Sequence, residues 1–208
     1  QGVGMDLLKD NVGKLYRKFF IASFGSALIA CIYGLVDMAM VGQYHGPDGS
    51  AAMAVIAPIW NIIYSFGLLC GIGGSVIYAV ARGERDDVKE ANGYFTSAFI
   101  LGAIWALILW VLVWVCEEPL LKLFGANDAL MPLCKEYMVA PKLTVPVYVF
   151  INLLSSFLRN DGDPGRATKA VIFGGIFNVF GDYFFVFTLD MGIKGAGIAT
   201  AMGASMSV

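Results

Sequence analysis

Three stretches of this sequence contain no Asp, Glu, Lys or Arg: Phe19 to Val36, Ala51 to Ala81 and Ala91 to Cys116. Each runs about 18 residues or more, the length at which an apolar helix crosses the hydrocarbon of a bilayer. In that solvent every backbone N–H and C=O must be satisfied inside the protein, which makes the helix the local solution. A fourth run, Leu143 to Leu158, lies between Lys142 and Arg159. Ala170 to Leu189 is interrupted only by Asp182, and Gly195 to Val208 carries no charge. The expectation is an all-α, polytopic membrane protein built as a six-helix transmembrane bundle. Its spans fall at about 19–41, 51–81, 91–116, 139–158, 168–189 and 195–208, after an N-terminal segment at 1–18. The last span reaches only ~21 Å at 1.5 Å per residue, so it reads as cut off. Gln1 to Gly4, ahead of Met5, read as an expression remnant.

Composition excludes other classes. The chain is 58% hydrophobic and only 14% charged, too little charge for a water-facing surface of this size. A net charge of −2 and the lack of a basic stripe argue against a nucleic-acid partner; the expected surroundings are lipid. Cys31 and Cys70 fall inside apolar spans as small hydrophobes. Nothing else around Cys116 and Cys134 suggests a disulfide scaffold.

The basic residues orient the chain. Lys9, Lys14, Arg17 and Lys18, then Arg82, Arg85 and Lys89, then Arg159, Arg166 and Lys169 fall on one side. Lys122, Lys135, Lys142 and Lys194 fall on the other. That division is ten against four, and the positive-inside rule puts the N-terminus in the cytoplasm of a plasma (inner) membrane.

Depth then singles out four polar residues. Asp37 lies ~27 Å along the first span at 1.5 Å per residue. Asn178 and Asp182 lie ~15–21 Å up the fifth, and Thr200 roughly 8 Å down the sixth. All four fall in the outer half of a ~30 Å hydrocarbon core. Asn178 and Asp182, four residues apart, share one helix face. Ionisable groups at such depth cost roughly 2.5–3.5 kcal/mol each and tend to mark ion or proton paths. Two carboxylates, an amide oxygen and a hydroxyl form an all-oxygen set that suits a hard cation such as Na⁺, or a proton shared between acids. Asp37, Asn178, Asp182 and Thr200 are therefore the candidate cation-binding and coupling residues, with no catalytic residue and no organic cofactor.

Smaller signals accompany these. Gly67, Gly71, Ser75 and Ala79 recur every four residues, a stripe that permits close helix packing in lipid. Pro58, Pro141 and Pro146 are expected to kink or end helices locally. Trp60, Tyr64, Trp105, Trp110 and Trp114 are expected mainly at the lipid face or interface, with a few lining a cavity for organic cations. His45, in a Gly/Pro loop, reads as exposed. Asn160 to Gly165 imitates a calcium loop but lacks its later Glu, and turn chemistry explains it better.

Four stretches also resemble one family. Val-Asp-Met-Ala-Met-Val-Gly at Val36 to Gly42 resembles the end of helix 1 in multidrug and toxic compound extrusion (MATE) transporters. Arg159 to Pro164 resembles that family's loop between helices 4 and 5. Asn178 to Tyr183 resembles its helix 5 motif, and Gly195 to Thr200 the start of its helix 6. The resemblance implies one lobe, the N-terminal one, of a twelve-helix, two-lobe cation-coupled antiporter that exports organic cations. It also implies a missing C-terminal lobe, and it carries the family's cation site onto Asp37, Asn178, Asp182 and Thr200. Rival readings remain at this stage: a lipid-linked precursor flippase, a six-helix oligomeric channel, or an intramembrane aspartyl hydrolase. The last needs Gly-x-Gly-Asp, where this chain has Val179-Phe180-Gly181-Asp182.

Overall fold

Residues 11–84, 87–161 and 164–207 are described by the structure, a computed structural model. Lys9 and Arg85 of the charge count, and Gly162 and Asp163 of the turn before the fifth span, lie outside them. The described residues form helices α1 (Val12–Glu84), α2 (Val88–Val115), α3 (Glu117–Leu123), α4 (Met131–Tyr137), α5 (Val139–Asn160), α6 (Pro164–Asp182) and α7 (Gly192–Met206). A π-helical segment, Tyr183–Thr188, extends α6.

α1 is two spans in one element. Its backbone leaves helical geometry at Gly46, where φ is 68° and ψ −154°. A positive φ is open to glycine at little steric cost, and Pro47 follows at once with no N–H to continue the ladder. The polar stretch read as a loop thus shrinks to a Gly-Pro break between a first arm (12–45) and a second arm (47–84). The arms face each other: Ala30, Gly34 and Met38 share a cavity with Met53, Ala57 and Tyr64. Helix continues through Pro58 and Pro146, so neither proline ends its element.

Among the described residues, four stretches are apolar and long enough to cross a membrane: Val12–Gly83, Val88–Val115, Val139–Asn160 and Gly165–Thr188. Their outward faces stay apolar. Ile104, Leu107 and Val111 on α2 are about half exposed, a surface that lipid would cover. The inward faces pack by small residues. A Cβ on Gly67 would sit 3.0 Å from the Val149 carbonyl oxygen, and one on Gly71 2.8 Å from Leu153 Cα. Glycine at these positions is what lets the second arm lie against α5. Ser75, fully buried, continues that stripe and accepts a hydrogen bond from Asn160 Nδ2 at 2.7 Å.

At the Gly46 end the expected loop folds into α3 and α4, tied by ion pairs. Glu117 meets Lys142 at 2.7 Å, and Glu118 meets Lys122 and Lys135 at 2.9 Å each. Hydrogen bonds and charge from Lys122 and Lys135 hold the Glu118 carboxyl down to about 2. Lys142 also lies 5.2 Å above the Trp114 ring, and Trp110 Nε1 donates to the Lys142 carbonyl at 2.6 Å. These tryptophans sit where an interfacial belt would hold them.

His45 corrects an expectation. It is half-buried, and its Nε2 accepts the Ile193 N–H at 3.1 Å. Tyr44 donates to the Asp190 carboxylate beside it. Asp190 (φ 55°) and Gly192 (φ 54°) turn the chain sharply from the π segment into α7. His45 thereby satisfies one of the N–H groups a helix start leaves unpaired. All four cysteines are free thiols.

Candidate cation site

The joint of α6 and α7 is made by glycines. A Cβ on Gly203 would sit 2.8 Å from the Gly174 carbonyl oxygen, and one on Gly195 2.8 Å from the Phe185 backbone. A Cβ on Gly181 would stand 3.0 Å from Ala199 Cβ. This approach brings Asn178 and Asp182 on α6 against Thr200 on α7. The π segment begins directly after Asp182, and local π geometry is frequent at functional sites. It carries the Phe185 backbone against Gly195, at the start of α7.

The four residues taken from the sequence meet in one hydrogen-bonded network. Asn178 Nδ2 donates to Thr200 Oγ1 at 3.2 Å and to Asp182 Oδ1 at 3.5 Å. Thr200 Oγ1 donates to Asp37 Oδ2 at 3.5 Å, which joins the first arm of α1 to the α6–α7 pair. All four are buried: Asp182 is 0% exposed, Asn178 4%, Asp37 5% and Thr200 8%.

A fifth member was not legible in the sequence. Tyr137, 2% exposed at the end of α4, donates its hydroxyl to Asp37 Oδ2 at 3.0 Å. It lies in the stretch read as a polar connection, and its role exists only because α4 folds back over the first arm. No local pattern around it carries that information. Trp60 and Tyr64 are among the few aromatics that line a cavity, the one beside Asp37.

The electrostatics are one-sided. Asp37 Oδ1, Asn178 Oδ1 and Asp182 Oδ2 are buried and accept no hydrogen bond from any described residue. Neither cavity touching the site has a Lys or Arg among its described lining residues. Two carboxylates thus face each other's field with only neutral donors for support. Burying such charge without a counter-ion is strongly unfavourable. A proton or a hard monovalent cation removes that penalty, and three unfilled oxygens offer the ligands. The inner cavity, bordered by Asn178, Thr200, Tyr33 and Tyr148, holds about 50 Å³. That is room for an ion or a few waters. On its other side the site opens to a cavity of about 560 Å³ between the arms, walled by Met38, Met53, Trp60 and Tyr64.

The MatE family model matches residues 22–184. The multidrug export protein MepA of Staphylococcus saprophyticus is 24% identical over 196 residues, covering 93% of this chain and 43% of MepA. A crystal structure of MATE in the straight conformation is 26% identical with a TM-score of 0.89, covering 99% of this chain and 45% of that one. A crystal structure of MATE in the bent conformation is 26% identical with a TM-score of 0.86, covering 94% of this chain and 43% of that one. The chain spans a little under half the length of the curated relatives it matches. Long apolar helices and these likenesses together describe a multi-pass membrane protein.

Proposed function

This chain belongs to the MatE family, and from that premise we propose that it forms the N-terminal half of a cation-coupled antiporter exporting amphipathic organic cations. The observation that carries this reading is the charge balance of the site. Asp37 and Asp182 are buried, Asp37 Oδ1 and Asp182 Oδ2 accept nothing from the described residues, and the two cavities touching the site have no Lys or Arg among their described lining residues. Na⁺ or H⁺ is the natural counter-charge. A second six-helix lobe would complete the transporter.

The mechanism follows from differential affinity. A coupling ion drives a change of state only as far as it binds one state better than the other. With the site charged, the first arm is held away from a fully packed arrangement by the cost of two buried anions. Neutralising them lets that arm repack, bending near Gly34, where an added Cβ would meet nothing within 4 Å. Bending would shrink the 560 Å³ cavity and expel its contents. Aromatic and thioether walls with a single carboxylate, and no array of fixed charges, suit flat amphipathic cations of varied shape. That relatives have been solved in bent and straight conformations supports two states for the fold.

The direct test is efflux of a fluorescent organic cation from vesicles holding the two-lobed protein, under an imposed Na⁺ or pH gradient. Export that tracks one gradient is the expected result. Export indifferent to both would sink the coupling. Orientation is separately testable. The N-terminus is proposed to be cytoplasmic in the plasma membrane, so Asp48→Cys, at an exposed position beside the Gly46 break, should react with an impermeant thiol reagent added outside intact cells. Labelling only after lysis would invert the topology.

A further inference from the structure

The end of the bundle away from the Gly46 break holds a second polar cavity that the cation site does not use. It measures about 150 Å³ and lies between the two arms of α1 and α5. Ser23 and Ser26 come from the first arm, and Asn152, Ser155 and Ser156 from α5. Arg159, on the last turn of α5, also lines it. Apart from tyrosines, Arg159 is the one ionisable group among the described lining residues. Its Nε is buried and has no acceptor, and no carboxylate pairs with it among the described residues. The hydroxyls of Ser26 and Ser156 donate to backbone carbonyls at 2.8 Å. Those of Ser23 and Ser155 donate to no described residue.

The two polar cavities are opposite in sign. The cavity at the Gly46 end is bordered by Asp37, this one by Arg159, and Tyr33, Tyr64 and Tyr148 line both. A guanidinium stays charged in any protein environment and offers a planar fork of donors that matches oxyanions. Set at the edge of a bilayer core with free hydroxyls around it, it forms one half of an ion pair. The volume is well short of the roughly 300 Å³ at which drug-sized pockets begin, so the missing half is small.

We propose that the Arg159 cavity binds a phosphate-type oxyanion, held by the guanidinium and by the hydroxyls of Ser23 and Ser155. The anion is either free phosphate or the phosphodiester of an anionic lipid whose tails stay in the bilayer. The site stands apart from cation coupling, and its test needs no gradient, so a failure of antiport leaves the result readable.

Two probes separate the sources. Inorganic phosphate is titrated onto the purified chain and followed by phosphorus NMR line broadening. Phosphatidylglycerol is added to phosphatidylcholine nanodiscs holding the chain, and its retention is read by native mass spectrometry. Wild type should retain at least one probe, and Arg159→Gln should weaken that binding about tenfold or more. Retention of the lipid alone assigns the headgroup; binding of inorganic phosphate assigns a free anion. Should Arg159→Gln not fold, Arg159→Lys, which keeps the charge but loses the fork, and Ser155→Ala should each weaken binding measurably. Neither probe held by wild type, or binding unchanged in the folded variants, overturns the proposal.

Discussion

Asp182→Asn should give a folded protein whose efflux no longer responds to a cation gradient. Asp182 is fully buried; among the described residues one of its oxygens takes only a long hydrogen bond from Asn178, and the other takes none. The amide keeps the size of the side chain, and its oxygen can still accept from Asn178. Burying it costs less than burying a carboxylate, so expression and thermal stability in detergent should match or exceed wild type. What disappears is the charge that makes one state of the lobe depend on the ion. Couplings of this kind typically amount to about 1–3 kcal/mol, or roughly 5–150-fold in affinity, and the substitution should erase that factor. Gradient-driven efflux would fall to the level of empty vesicles. Thr200→Ala, which removes one neutral ligand, should be milder. Normal gradient-driven transport by Asp182→Asn would end the proposed role, and a failure to fold would make Asp182 a structural acid.

Gly71→Val should destroy the packing of the lobe, whereas Gly73→Val, two residues along, should be nearly silent. A Cβ at Gly71 would stand 2.8 Å from Leu153 Cα, 2.8 Å from Ser156 Oγ and 3.0 Å from the Asn152 carbonyl oxygen. Two of those three atoms are backbone of α5, which cannot step aside without moving the helix. Overpacking usually costs about 1–3 kcal/mol and sometimes more. Here the upper end is expected, because the crowded atoms include α5 backbone, which moves only with the whole helix. A Cβ at Gly73 would meet nothing within 4 Å, and the position faces outward. The comparison is read as thermal unfolding and monodispersity in detergent. Equal stability of the two variants would mean that the second arm does not lie on α5 as described.

Much of the architecture was legible because membrane helices satisfy their backbones locally. The charge-free runs starting at Phe19, Ala51 and Ala91 correspond to the two arms of α1 and to α2. They needed no tertiary information, since lipid gives their exposed faces no reason to be polar. The polar loop around Gly46 was overestimated for the same reason. Sequence marks Gly46-Pro47 as a break but does not say that helix resumes at once on either side. The connection after α2 was read as a loop, because the apolar faces of α3 and α4 are only a few residues long. Their helices are held by the pairs from Glu117 and Glu118 to lysines distant in sequence.

The candidate site divides along the same line. Sequence by itself set Asp37 at the end of an apolar run, Asn178 and Asp182 within one and Thr200 in another, and put Asn178 and Asp182 on one helix face, because helical period is fixed by the backbone. Only the tertiary structure decided that the first arm, α6 and α7 approach closely enough to join them, through glycines whose partners lie on other helices. It alone brought Tyr137 onto Asp37, drew His45 onto the start of α7, and set Arg159 opposite the acids across a layer of tyrosines. Each of these depends on which faces of different helices meet, a choice made by packing rather than by local period.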